Sequence, residues 1–198
     1  MIALMFKNGY GLEHAFRNSL FEVVTALTTT GFANDNAGNW AHITWVVIIV
    51  CMFLGANSGS TSGGFKSIRS VMVIKIIKNE FRQMLHPNAI VPLKLNSINV
   101  PMQKRVTLLA FLASYMLILA ISIFLMSLAG VESVDCVSIS FSSLGNVGPA
   151  FGSYIGPNDS WAILPDSCKW ISSILMLIGR LEIFSVLIIF TPAYWREN

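Results

Sequence analysis

Hydrophobic positions fall in blocks along the chain. Val106–Val131 is a run of 26 residues without a charge. A helix rises 1.5 Å per residue, so about 20 such residues cross the hydrocarbon core of a bilayer, and the run predicts a transmembrane helix. Trp170–Trp195 is equally long and charged only at Arg180 and Glu182. It starts and ends in aromatics, as interfacial belts do, and predicts a second span. Ile43–Gly55 is apolar but only 13 residues long, too short to cross alone. It runs into Gly55-Ala56-Asn57-Ser58-Gly59-Ser60-Thr61-Ser62-Gly63-Gly64, after which Phe65–Leu85 mixes apolar and basic positions. A flexible linker there would strand the short run in the bilayer. The pattern therefore predicts one broken helix, 43–85, interrupted at membrane depth by a loop over 55–64. Irregular backbone is tolerated at that depth only where it lines a wet cavity or is buried in protein. Two amphipathic stretches, 12–28 and 133–144, are too short or too polar to span. Each is followed by small and polar residues with a glycine, which predicts re-entrant half-helices that end in an extended loop.

Composition agrees with this pattern. The chain is 54% hydrophobic and 12% charged, with mean hydropathy +0.65, against about 25% charged residues in an ordinary soluble domain. A soluble enzyme domain is disfavoured, and disorder is excluded because disordered chains are poor in apolar residues. Eight of the 13 Lys and Arg lie between Lys66 and Arg105, with Glu80 as the acid among them. Such a stretch could bind nucleic acid, but cytoplasmic loops of membrane proteins concentrate the same residues, and no nucleic-acid partner is expected. Segment 66–105 and the C-terminus then lie inside. The loop carrying Glu132, Asp135, Asp159 and Asp166 lies outside, and both half-helices enter from that side. Cys51, Cys136 and Cys168 are odd in number and lack metal spacing, so neither a disulfide framework nor a structural zinc is expected. Met1–Phe6 is too short for a signal h-region. The abrupt opening near Lys7-Asn8-Gly9 raises the expectation that the chain is a piece of a longer one.

Sliding the chain on itself by 117 residues reveals a repeat. Thr25-Ala26-Leu27-Thr28-Thr29-Thr30-Gly31-Phe32 falls on Ser142-Ser143-Leu144-Gly145-Asn146-Val147-Gly148-Pro149, with leucine on leucine, glycine on glycine and hydroxyl on hydroxyl at 25/142. Each copy leads through a polar loop to a Trp-started apolar run, at Trp40/Trp45 and Trp161/Trp170. The repeating unit is helix, half-helix, loop, helix. The expected fold is an all-α membrane protein of two such potassium-channel-like units. The first, 1–105, lacks its opening helix and holds half-helix 12–28, loop 28–32, broken helix 43–85 and link 86–105. The second, 106–198, holds helix 106–131, half-helix 133–144, loop 145–149 and helix 170–195.

A half-helix inside a membrane points its C-terminal carbonyl end, roughly half a negative charge, at the loop that follows. That end attracts a cation. An extended loop then offers backbone carbonyls in place of the ion's water, as potassium-channel filters do. Glycine permits the φ/ψ angles that aim carbonyls at one axis, and threonine hydroxyls add neutral oxygens. Thr28-Thr29-Thr30-Gly31 has this composition. Neutral oxygens suit a monovalent cation, since calcium usually draws carboxylates, and Asp35 is the nearest acid. Taken alone, Thr28–Gly31 also reads as a helix C-cap, where glycine is common.

In this order the motifs resemble the Trk/Ktr/HKT superfamily of potassium transporters, most closely the membrane subunit of the bacterial Trk system. Thr28-Thr29-Thr30-Gly31-Phe32 is similar to that family's third filter and Asn146-Val147-Gly148-Pro149 to its fourth. Gly55–Gly64 resembles the intramembrane loop that breaks its third inner helix. Leu85-His86-Pro87-Asn88-Ala89-Ile90-Val91-Pro92 and Gly179-Arg180-Leu181-Glu182-Ile183-Phe184 through Thr191-Pro192 also resemble it. The resemblance covers nearly the whole chain from about residue 12. It implies four units around one pore and potassium as the transported ion, with no cofactor in this chain. The filter residues would be Thr28, Thr29, Thr30, Gly31, Phe32, Gly145, Asn146, Val147, Gly148 and Pro149, with potassium held at Thr29, Thr30, Asn146 and Val147. Gly55, Gly59, Gly63 and Gly64 would belong to a gate beneath the filter, with Arg180 projecting into the cavity there. The implied setting is the bacterial inner membrane. Implied partners are a cytosolic nucleotide-binding regulatory subunit docking on 66–105, and a missing N-terminal half or a second copy that completes the pore. The family's full subunits form homodimers.

Physics bears on Arg180 independently. An arginine in the middle of a span costs at least ~2.5–3.5 kcal/mol on insertion scales, so it must face protein or water. The lesser alternative is that it ties carbonyls of the broken loop together. Glu182 cannot share its helix face at i,i+2 and is expected to make a structural contact of its own. Two other readings of the Gly/Ser tract are weaker. A phosphate loop needs Lys after Gly59-x4-Gly64, where Phe65 stands. An intramembrane serine protease using Ser58 or Ser60 needs a base, and His14, His42 and His86 all lie outside the long spans. A truncated, non-transporting fragment of a pore subunit is the remaining alternative.

Overall fold

The computed structural model of the chain describes residues 5, 9–35, 37–57, 59–60, 62–86, 92–95, 98–152, 155–191 and 194–195. Ser58 and Thr61 of the Gly/Ser tract, the Pro87–Val91 motif and Pro192 lie outside the described residues. Among the described residues seven α-helices follow in order: α1 (Leu12–Thr28), α2 (His42–Leu54), α3 (Ser67–Leu85), α4 (Met102–Leu128), α5 (Ser133–Gly145), α6 (Asp166–Arg180) and α7 (Ile183–Ile189). Between α3 and α4 a small antiparallel hairpin pairs β1 (Lys94–Leu95) with β2 (Ile98–Asn99), Lys94 opposite Asn99 and Leu95 opposite Ile98. The architecture is otherwise helical, as the hydrophobic pattern predicts.

α4 begins at Met102, four residues before the apolar run, because Gln103-Lys104-Arg105 continue the helix. It ends at Leu128 rather than Val131. Gly130 turns to φ +86°, and the amides of Gly130 and Val131 bond back to Ser127 and Met126, a glycine-terminated helix end. Among the described residues α4 alone is long and apolar enough to cross a bilayer as one helix.

The second expected span, 170–195, is corrected. It is not one helix but two, α6 and α7, bent by 109° at Leu181–Glu182. Glu182 takes φ +62° and its carbonyl accepts from Ser185 and Val186, which starts α7. The broken helix of the first unit resumes in the same way. Lys66, at φ +74°, precedes α3 and its carbonyl accepts from Arg69 and Ser70. Thus each unit's last helix is interrupted, by Gly55–Lys66 in the first and by two residues in the second. The two positive-φ residues are ion-paired, Lys66 Nζ to Glu182 Oε1 at 3.0 Å.

α5 lies between α4 and α6, and most of its residues are buried, including Ser138, Ser140, Ser142 and Ser143. Around it Phe111, Tyr115, Leu119, Ile139, Leu144 and Leu175 form one apolar core. Phe65, where a phosphate loop would need lysine, is a plug in that core, stacked on Phe53 at 5.2 Å. A second core joins Ala15, Ala26, Trp45 and Met52 of the first unit to Val147 and Phe151 of the second. The units therefore interlock through the segment that follows α5. α1 instead leaves Phe16, Leu20, Phe21 and Val24 exposed.

Candidate functional site

The two half-helices end in the same turn. At α1, Thr29 N–H bonds to Ala26 O and Thr30 N–H to Thr25 O; at α5, Asn146 N–H bonds to Ser143 O and Val147 N–H to Ser142 O. This is the Schellman pattern, with its left-handed residue filled by Thr29 (φ 53°, ψ 36°) and Asn146 (φ 54°, ψ 42°). Glycine at φ +79° (Gly31) and +111° (Gly148) then turns the chain again. The 117-residue offset is therefore a repeat of hydrogen bonds as well as letters.

The cap reading of Thr28–Gly31 is realised at its first two residues. Thr28 is helical, and its hydroxyl donates to Val24 O at 2.7 Å and lies 2.8 Å from the Thr30 hydroxyl. Gly145 is likewise corrected from loop to helix, since it is the last residue of α5. The loop proper comprises Thr29–Phe32 and Asn146–Pro149. Phe32 presents an exposed ring.

Several supporting residues escape a motif search. Thr25 Oγ1 accepts the Phe32 N–H, and Ser142 Oγ accepts the Gly148 N–H, both at 3.0 Å. The donor moves by one position because Pro149, opposite Phe32 in the repeat, has no N–H. Asn18 and its repeat partner Asp135 each hold the strand that returns from the loop. Asn18 Nδ2 donates to Asp35 Oδ2 at 2.8 Å, and the Tyr10 hydroxyl donates to the same oxygen at 3.1 Å. Asp135 Oδ1 accepts the Ile155 N–H at 3.1 Å. Asp135 is corrected from an outer-loop acid to a fully buried residue in the first turn of α5, where the helix N-terminus favours a carboxylate. The 117-residue pairing of 18 with 135 was the available signal.

The two turns touch. A Cβ on Gly31 would lie 2.1 Å from the Val147 carbonyl oxygen, so the first loop packs glycine-first against the backbone of the second. The Gly/Ser loop folds beneath both. Gly63 N–H reaches Thr29 Oγ1 at 3.4 Å, and a Cβ on Gly63 would lie 2.1 Å from Gly145 O. Gly55 (φ +61°) and Gly64 (φ +77°) pack on each other, Gly55 also against Gly63 O and Gly64 against Met52 O. Gly59 has open space around it. On the other flank a Cβ on Gly179 would lie 2.1 Å from Leu144 O. With its amide assigned in the orientation that satisfies both ends, Asn146 bridges α6, donating to Met176 O at 3.0 Å and accepting from Arg180 N–H at 3.1 Å.

Below the turns lies a cleft of about 270 Å³, lined by Ser62, Gly63, Lys66, Tyr115, Leu144 and Arg180 among others. Glu182 accepts from Lys66 Nζ at 3.0 Å and Arg69 Nη2 at 3.2 Å, and Arg69 also stacks on Phe111 at 4.2 Å. One carboxylate thus joins the break in the second unit to the restart of the first. Ser60 Oγ accepts the Ser62 N–H. His14 and His42 meet Tyr10 and Trp45 edge-to-face, and among the described residues no histidine lines the cleft.

Comparison with known proteins agrees in extent. The TrkH family of cation transport proteins matches residues 8–197. The Trk system potassium uptake protein TrkH of Halomonas elongata is 33% identical over 196 residues, covering 99% of this chain and 40% of that protein. TrkI of the same organism is 35% identical over 179 residues, covering 89% and 36%. The crystal structure of the potassium transporter TrkH from Vibrio parahaemolyticus matches with a TM-score of 0.89 at 28% identity, over 98% of this chain and 41% of that one. The chain thus spans about 40% of the length of the H. elongata TrkH it matches.

Proposed function

The chain belongs to the TrkH family of cation transport proteins, and from that premise we propose that it supplies two adjacent walls of a potassium-uptake pore in the bacterial inner membrane. The observation that supports this best is the contact between two equivalent turns, with Gly31 against the Val147 carbonyl. Each turn stands at the negative end of a half-helix and carries a glycine of positive φ, Gly31 and Gly148. Potassium would exchange its water for the carbonyls of Thr29–Gly31 and Asn146–Gly148. Thr28 and Gly145, being helical, serve as the platform for these loops.

The Gly55–Gly64 loop is the gate in this reading, since its Gly63 packs against Thr29 and Gly145 at the two turns. Arg180 adds positive charge to the cleft below and sets the height of the barrier a cation meets there. Two walls do not enclose an ion. The other two would come from an N-terminal half or from a second copy, and full subunits would pair as homodimers. Segment 66–105 and the C-terminus would face the cytoplasm, where a nucleotide-binding regulatory subunit would dock on the basic segment.

Rubidium uptake by potassium-uptake-deficient cells tests this. The chain is expressed alone and together with the N-terminal half of a related subunit. Uptake with the added half is the expected result, and uptake by the chain alone would mean that two copies complete the pore. No uptake in either case, with the chain inserted in the membrane, would contradict a transport role and favour a non-transporting fragment.

A further inference from the structure

A second polar site lies at the far end of α3, away from the filter. Lys75, Lys78 and Arg82 recur at i, i+3 and i+7 and so share one helix face. The 94–99 hairpin is held beside that face, with Val100 N–H bonded to Leu93 O at 2.8 Å and Lys75 Nζ to Lys94 O at 3.0 Å. Between helix and hairpin is a cleft of about 270 Å³, lined by Lys75, Lys78, Asn79, Arg82 and Lys94, with Pro92 and Leu93 as its apolar part. Among the described residues no carboxylate lines it, and Glu80 is not among its walls. The Asn79 amide nitrogen is buried without a hydrogen-bond partner.

Four cations gathered without a counter-charge repel one another, and like charges at this helical spacing destabilise the helix. A buried amide donor without a partner adds a further cost. One ligand relieves both: an anion with several acceptor oxygens and more than one interacting cation. Segment 66–105 carries the positive charge that marks the cytoplasmic side, and basic pockets beside transmembrane helices on that side suit lipid head groups.

We propose that this cleft is a phosphate-binding site, with Arg82 and the lysines neutralising the phosphate and the Asn79 amide donating to one of its oxygens. The phosphate comes from the headgroup of an anionic phospholipid in the inner leaflet or from a free phosphate. The site is independent of the filter assignment.

The test uses the purified full chain in detergent, with native mass spectrometry reading retained ligand. The probes are phosphatidylglycerol, phosphatidylcholine and inorganic phosphate. Lys78→Gln/Arg82→Gln removes two cations of the cleft, Asn79→Leu removes the amide, and Arg17→Gln/Lys104→Gln removes the same charge elsewhere. Phosphatidylglycerol retention is expected to fall about tenfold or more in the first variant, to fall in Asn79→Leu, and to hold in the control. Phosphate competing with the lipid would identify a site open to free phosphate, whereas lipid binding unaffected by phosphate would identify the headgroup. Equal loss in the cleft and control variants would overturn the proposal, because charge alone would then explain binding. So would the absence of binding to both phosphatidylglycerol and inorganic phosphate, which would leave the patch to a protein partner.

Discussion

Replacing Gly31 by alanine tests the contact between the two turns. At φ +79° an L side chain costs roughly 1–2 kcal/mol. The new Cβ would stand 2.1 Å from the Val147 oxygen and 3.3 Å from its carbonyl carbon. Unbonded heavy atoms settle at about 3.5–4.0 Å, so the turns must part by on the order of 1 Å. Both partners are backbone, and no side chain can swing aside. Potassium-over-sodium preference should fall about 5–30-fold if only the backbone strain reaches the filter, and further if the carbonyls separate. The assay is rubidium uptake under sodium competition in potassium-uptake-deficient cells carrying the assembled transporter, normalised to protein in the membrane. Gly148→Ala carries the φ penalty at +111° without any neighbour within 4 Å, and Gly59→Ala has open space and no such φ. The expected order of damage is Gly31, then Gly148, then Gly59 with none. Unchanged selectivity in Gly31→Ala, or equal effects at Gly31 and Gly59, would refute the reasoning.

Other variants probe the surrounding contacts. Asn146→Ala loses both bonds to α6 and places alanine at φ 54°, and should cost about 1–3 kcal/mol in stability or selectivity. Thr29→Val loses only a 3.4 Å bond to Gly63 and should do less, as thermal unfolding of the purified pair will show. Ser142→Ala leaves the Gly148 N–H without its acceptor, so selectivity should drop while expression holds. Gly63→Ala drives a Cβ to 2.1 Å from Gly145 O and should displace the loop, changing flux more than selectivity in the same uptake assay. Glu182→Gln weakens two ion pairs to a half-exposed carboxylate. Stability should fall by about 1 kcal/mol or less, with the wild-type advantage shrinking at high salt.

The elements were legible where one physical signal dominates. Apolar length announced α4, and amphipathic half-length stretches announced α1 and α5. The Gly/Ser tract announced the interruption before α3, because that composition at membrane depth has few other uses. The break at Leu181–Glu182 carried no comparable mark, with neither glycine nor proline. It is held by ion pairs to Lys66 and Arg69, more than a hundred positions away. The charges at 180 and 182 inside an apolar run were its trace, but they read as two separate contacts on a continuous helix. Local patterning was equally silent about Gly63 and Gly179, whose value lies in backbones approaching from other segments. Asp135 looked like a loop acid until the α5 terminus and the Ile155 amide surrounded it. The 117-residue offset, by contrast, aligned Thr25 with Ser142 and Thr29 with Asn146, whose hydrogen bonds repeat in the structure. There the sequence repeat and the hydrogen-bond repeat are the same object.

The most direct measurement is anomalous diffraction from crystals of the assembled transporter grown in rubidium. The account predicts rubidium density on the axis faced by the carbonyls of Thr29–Gly31 and Asn146–Gly148, weakened in Gly31→Ala. Rubidium bound elsewhere, with the space before these carbonyls empty, would contradict it.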